Sequence, residues 1–87
     1  MLEELLNRKV IIDLSSPFVA LCVLQRIDNL YLELKNADLH DLRDTDTTRE
    51  NYVAASYATG IKRNRKRVLI VRSEVVAVSR LDDVMDE

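Results

Sequence analysis

The sequence predicts a small, mostly β domain of five antiparallel strands, with a short N-terminal helix and a second helix in the long stretch before the fourth strand. Three observations carry this expectation. The chain has 87 residues, 47% apolar and 32% charged, the composition of one soluble domain with one core. Five runs alternate in polarity or are rich in β-branched residues. With one glycine and one proline, the breaks between runs fall at Ser15-Ser16-Pro17, Asp28-Asn29 and Ser73-Glu74, where side-chain oxygens or proline supply the turn chemistry. Chains of this size bury only about 60% of their unfolded surface and often gain stability by associating.

Each element follows from its residues. Leu2, Leu5 and Leu6 have helical spacing, with Glu3 and Glu4 early and Arg8 late. That order complements a helix dipole, so residues 1–8 are expected to be helical. Val10, Ile12 and Leu14 make a strand, and residues 18–27 form a longer apolar run in which Cys22 packs as a small hydrophobe. Leu30, Leu32 and Leu34 then alternate with Tyr31, Glu33 and Lys35, so 9–37 reads as strand, strand and hairpin. In the variable excursion 38–65 the period changes. Thr47-Thr48-Arg49-Glu50 has capping-box spacing with Thr47 as N-cap, and Gly60 is placed for a left-handed helix end, giving a helix over about 48–59. Residues 66–72 and 75–81 are the last two strands, and the acidic tail 82–87 is expected to fray.

Several function classes are excluded as expectations. No apolar run reaches the roughly 18 residues that span a bilayer. The first twenty residues do not resemble a signal peptide, because Glu3, Glu4 and Asp13 interrupt the pattern. One cysteine cannot form an internal disulfide, so a reducing, cytoplasmic setting is expected. His40 is the single histidine and Cys22 lies in an apolar strand, which leaves no Cys/His metal set and no nucleophile–histidine pair. A histidine beside Asp38 and Asp41 reads as a surface residue. One glycine cannot build a phosphate-cradling loop, and the carboxylates of 38–50 lack calcium-loop spacing. The chain is therefore expected to act by binding, without catalysis, cofactor or metal.

The net charge of −2 is unevenly distributed. Lys62, Arg63, Arg65, Lys66 and Arg67 place five positive charges within six residues, leaving eight basic against 15 acidic residues, or −7, elsewhere. Such a patch attracts phosphate locally, or serves only as a solvated hairpin tip that deters aggregation.

The element order resembles that of Sm and Sm-like proteins. The run Leu14-Ser15-Ser16-Pro17-Phe18-Val19-Ala20-Leu21-Cys22-Val23-Leu24-Gln25-Arg26-Ile27-Asp28 fits the first Sm motif without a gap, with Leu14, Leu24 and Asp28 on matching positions. Pro17 stands where the family has a turn glycine, and Cys22 where a glycine lets the strand bend. The following loop is two residues shorter than the family norm, which puts Leu30 at the base-stacking position and Tyr31 where the family has Asn. Val71-Arg72-Ser73 resembles the Ile-Arg-Gly of the second motif, with serine in place of glycine. The resemblance covers about residues 2–36 and 66–81.

This resemblance implies a strongly bent five-stranded sheet, or small open barrel, assembled head to tail as a ring of five to eight subunits. It implies single-stranded RNA as partner, held on the loops after the second and fourth strands. By position the contacts are Asp28, Tyr31, Arg72 and Ser73: Tyr31 stacking a base, Arg72 bracing a phosphate or base, Asp28 and Ser73 bonding base edges. Each has a plainer reading, with Asp28 closing a turn, Tyr31 in the core and Arg72 paired to Glu74 or to a neighbouring subunit. The segment Lys62, Arg63, Arg65, Lys66 and Arg67 has no motif counterpart and is a further candidate for tracking RNA phosphates. A ring that serves only as a protein scaffold is the alternative. Physics supports association independently, since Val68–Val71 and Val75–Val78 are apolar edge segments without proline or inward charge.

Overall fold

Three residues join the two outermost strands of the sheet, and that short link dictates its shape. The computed structural model describes residues 1–44 and 48–83. Its strands are β1 (Lys9–Leu14), β2 (Phe18–Ile27), β3 (Tyr31–Asp41), β4 (Arg65–Val71) and β5 (Val75–Arg80), with helix α1 (Arg49–Thr59) between β3 and β4. All pairings are antiparallel, in the order β4-β3-β2-β1-β5. In a flat five-stranded sheet the edges would lie about 19 Å apart. The 3-10 corner Arg72–Glu74 that joins them advances only about 2 Å per residue. The sheet therefore curls until the end of β4 meets the start of β5. It does not close, because these two strands do not pair with each other.

Bulges supply curvature at positions where the strands carry no glycine. Between the pairs Leu21–Asp38 and Val23–Lys35, β3 advances by one residue more than β2. Asn36 sits there with φ 51°, a left-handed conformation that asparagine tolerates. Between Leu24–Leu34 and Arg26–Glu33 the extra residue is Gln25 of β2, and Val76 is the extra residue of β5 opposite β1. Each bulge raises the local twist and bends its strand. Cys22 can thus be fully buried opposite Val10 while the sheet still bends.

Both faces of the sheet are apolar near β1 and β2, which explains the unbroken run Val10-Ile11-Ile12. Val10, Ile12, Ala20, Cys22, Leu24, Leu32, Leu34, Ala37 and Ile70 fill the concave side. On the other face Ile11, Val19 and Leu21 pack with Val53 of α1 and with Leu81. Strands covered on both sides read as continuous apolar runs rather than alternating ones. The helix begins one residue later than the capping-box spacing predicts. Thr48 is its N-cap and accepts from the amide of Asn51 at 3.2 Å, while Thr47 lies outside the described residues. Gly60 ends it at φ 96° and ψ 160°, a backbone open to glycine but not to the compact left-handed turn expected there.

Three further expectations are refined. The N-terminal helix is a single 3-10 turn, Leu2–Leu5. Leu6 turns extended, and Asn7, with φ 65°, donates to the Leu24 carbonyl at 2.7 Å, so the chain joins the sheet before a second turn forms. Leu2, Leu5 and Leu6 nevertheless pack on the concave core. β3 continues to Asp41 instead of ending near residue 37, because the Asn36 bulge lets the strand resume. Of the tail, Leu81–Asp83 forms a 3-10 turn held by buried Leu81, and residues 84–87 lie outside the described residues. No helix among the described residues is long and apolar enough to cross a membrane.

Candidate nucleic-acid interface

The turn after β2 and the corner after β4 meet. Asp28 closes its hairpin from both sides: its amide donates to the Tyr31 carbonyl at 2.9 Å, and its Oδ1 accepts from the Leu30 amide at 3.0 Å. Aspartate is suited to this role because its short carboxylate reaches the amide two residues on. Arg72 then binds the turn twice. Its amide donates to the Leu30 carbonyl at 2.8 Å, and Nη1 donates to the Asp28 carbonyl at 2.9 Å. Arg72 is therefore not paired with Glu74. The Glu74 carboxylate instead accepts from the Ser15 hydroxyl at 2.6 Å, and the Glu74 carbonyl accepts from the Ser15 amide at 2.9 Å.

This junction gathers the four residues that the resemblance singles out. Tyr31 lies beside Val71 across the β3–β4 ladder and is 42% exposed, so it is not a core residue. Leu30, on the turn itself, is 67% exposed. Ser73 is exposed on the corner. An apolar side chain, an aromatic ring and a guanidinium thus lie near one another at the turn–corner junction.

The basic segment lies elsewhere. Arg65, Lys66 and Arg67 belong to β4 itself, and Lys62 and Arg63 to the connection from α1. Arg65 is six residues from Val71, or roughly 20 Å along the strand. Arg67 is engaged within the chain: its Nη2 donates to Glu33 Oε1 at 3.0 Å, with Arg26 at 3.6 Å from the same oxygen. That hydrogen bond from Arg67 holds the Glu33 carboxyl below the usual carboxylate range.

Sequence reasoning missed the polar staple that anchors β4. Asn64, between the basic residues, donates through Nδ2 to Asp38 Oδ1 at 3.1 Å and to the Leu39 carbonyl at 3.0 Å. Its Oδ1 accepts from the Leu39 amide at 3.0 Å. The other Asp38 oxygen accepts from the Tyr52 hydroxyl. Burial and this bond to Asp38 push the Tyr52 phenol well above its ordinary pKa. Tyr52 also stacks on His40 with ring centroids 4.1 Å apart, so His40 is a packed residue and not a bare surface one. A buried aspartate in a strand pattern gives no local signal of a partner 26 residues away.

The outer edges of β4 and β5 have no strand partner among the described residues. Leu69 and Val71 on β4 are about half exposed, and Val76 on β5 is 68% exposed. Beside β5 an apolar groove of about 410 Å³ is lined by Leu2, Leu5, Val75, Val76 and Val78. Compared with protein-family models, with curated proteins and with solved structures, the chain finds no match.

Proposed function

We propose that this chain is a subunit of a head-to-tail, Sm-like ring that binds single-stranded RNA and catalyses no reaction. The observation that carries this reading is the junction of Arg72 with Asp28 and Leu30, which sets Leu30, Tyr31, Arg72 and Ser73 on one rim. Two unpaired apolar edges on one strongly curled sheet support assembly, because exposed edges of this kind associate unless protected. Head-to-tail pairing of unlike edges generates a ring when the rotation closes.

A second reading, a ring that serves only as a protein scaffold, draws on one specific feature. Asp28 Oδ1 is already engaged by the Leu30 amide, which reduces its capacity for a base edge. Titrating fluorescent oligo-U and oligo-A, with light scattering on the same samples, tests both. RNA binding by an assembled species is the expected result. An assembled protein that binds neither oligonucleotide would establish the scaffold reading instead.

A further inference from the structure

We infer that the basic segment is an intersubunit clamp: Arg65 and Lys66 on the edge of β4 grip Asp82 and Asp83 of a second copy. The inference rests on the head-to-tail assembly proposed above and adds to it a partner for the charges.

The two edges are charge-graded in opposite senses. β4 begins Arg65-Lys66-Arg67 and ends Val68-Leu69-Ile70-Val71, whereas β5 begins Val75-Val76-Ala77-Val78 and leads into Arg80, Asp82 and Asp83. Antiparallel pairing of one copy's β4 with another's β5 therefore brings the apolar ends of the two edges together and points the basic start of β4 at the acidic turn that follows β5. Parallel pairing would lay the basic start of β4 on valines.

The faces narrow the register. Val68 and Ile70 turn to the concave core, as does Val78, and alternation puts Lys66 and Arg80 on the same side. A slip of one residue would turn these side chains to the opposite face. Pairing Ile70 with Val78 sets Val68 opposite Arg80, where β5 ends, and carries Lys66 and Arg65 past that end toward the 3-10 turn Leu81–Asp83, on which Asp82 and Asp83 are exposed. The register that pairs Val68 with Val78 instead sets Lys66 against Arg80, two like charges, which is unfavourable across a strand pair.

These charges are available for the role. Among the described residues Lys62, Arg63, Arg65, Lys66 and Asp83 form no ion pair within the chain, and Asp82 makes only a surface pair with Arg80 at 3.6 Å. Exposed pairs are screened beyond about 8 Å at physiological ionic strength. A clamp of this kind makes assembly salt-sensitive and selects register and partner more than it adds affinity.

The test is a charge swap in the full chain, read by sedimentation velocity at low and high salt and by oligo-U titration. Arg65→Glu with Lys66→Glu, and separately Asp82→Lys with Asp83→Lys, should each raise the dissociation midpoint about tenfold at low salt, and all four together should restore it, as coupled pairs do. All four positions are exposed, so unchanged circular dichroism is expected throughout. Reversals that leave assembly unchanged, or a fourfold swap that fails to restore it, would overturn the clamp while leaving the ring intact. Reversals that weaken oligo-U binding but not assembly would make the segment a phosphate track and overturn it too. A monomeric wild type would overturn the ring itself and the clamp with it.

Discussion

Arg72 donates from Nη1 to the carbonyl of Asp28 at 2.9 Å, tying together two loops 44 residues apart in sequence. The bond uses the aspartate's main chain, while Oδ1 of its carboxylate accepts from the Leu30 amide and closes the turn. Removing the guanidinium would therefore loosen the rim without unpacking the core. Arg72→Ala is expected to cost about 0.5–1.5 kcal/mol of stability, the worth of one ordinary hydrogen bond. It should weaken oligo-U binding and flatten its salt dependence. Tyr31→Ala should lower affinity by about 1–3 kcal/mol per stacked base with the salt slope intact. Urea unfolding and titrations at several salt concentrations separate these effects.

Edge association is best probed at Val76, the bulged and exposed residue of β5. Ile70, by contrast, is only 8% exposed and belongs to the concave core, so proline there would break fold and assembly together. Val76→Lys puts a charge on the edge, a device that blocks strand addition. The expected outcome is a smaller sedimenting species with stability changed by no more than about 0.5 kcal/mol. An unchanged sedimentation coefficient would argue against association through β5.

The Asp38 staple should matter for stability. Asp38 is 6% exposed, and its carboxylate is held by Tyr52 and Asn64. Tyr52→Phe leaves one buried oxygen without that donor, at a cost of about 1–3 kcal/mol. Chemical denaturation of the variant beside wild type checks this. An equal stability would mean that water replaces the hydroxyl.

Acid should weaken the fold through Glu33 and Asp41. Arg67 holds the Glu33 carboxyl below its ordinary pKa, and hydrogen bonds from Arg43 lower Asp41 to about 2. Because both values are depressed on folding, the unfolded chain binds more protons as pH falls below about 4.5, and stability falls with it. The contribution is complete above that pH and lost toward pH 2. Arg43 is two residues from Asp41, so that pairing partly survives unfolding, whereas Arg67 is 34 residues from Glu33. Glu33→Gln should accordingly flatten the acid slope more than Asp41→Asn, as measured by urea midpoints between pH 2.5 and about 6.

The Cys22 thiol should be inert in the native state. It is fully buried, and desolvation pushes its pKa up to about 12. The thiolate is the reactive form. Labelling by a disulfide reagent at pH 8 should proceed only at the rate of opening and become rapid in denaturant. Rapid native labelling would mean that the strand opens locally around Cys22.

The strands were legible in the sequence because burial imposes a short period on apolar residues. Phe18–Ile27 falls as the pattern predicts, and the corner at Ser73-Glu74 lies where the apolar runs break. The turn role of Asp28 was legible for the same local reason, since its carboxylate reaches an amide two residues away. What the tertiary structure alone decided is long-range. That β3 runs on past Asn36 depends on a bulge which only the register with β2 makes visible. That Arg67 is bound to Glu33, that Asn64 pins β4 to β3, and that Arg72 reaches Asp28 all depend on strands brought together from distant parts of the chain. Periodicity reports which face of an element is buried, but it carries no information about which distant side chain will stand opposite. A polar residue's partner is set by register and curvature, and these exist only once the sheet has formed.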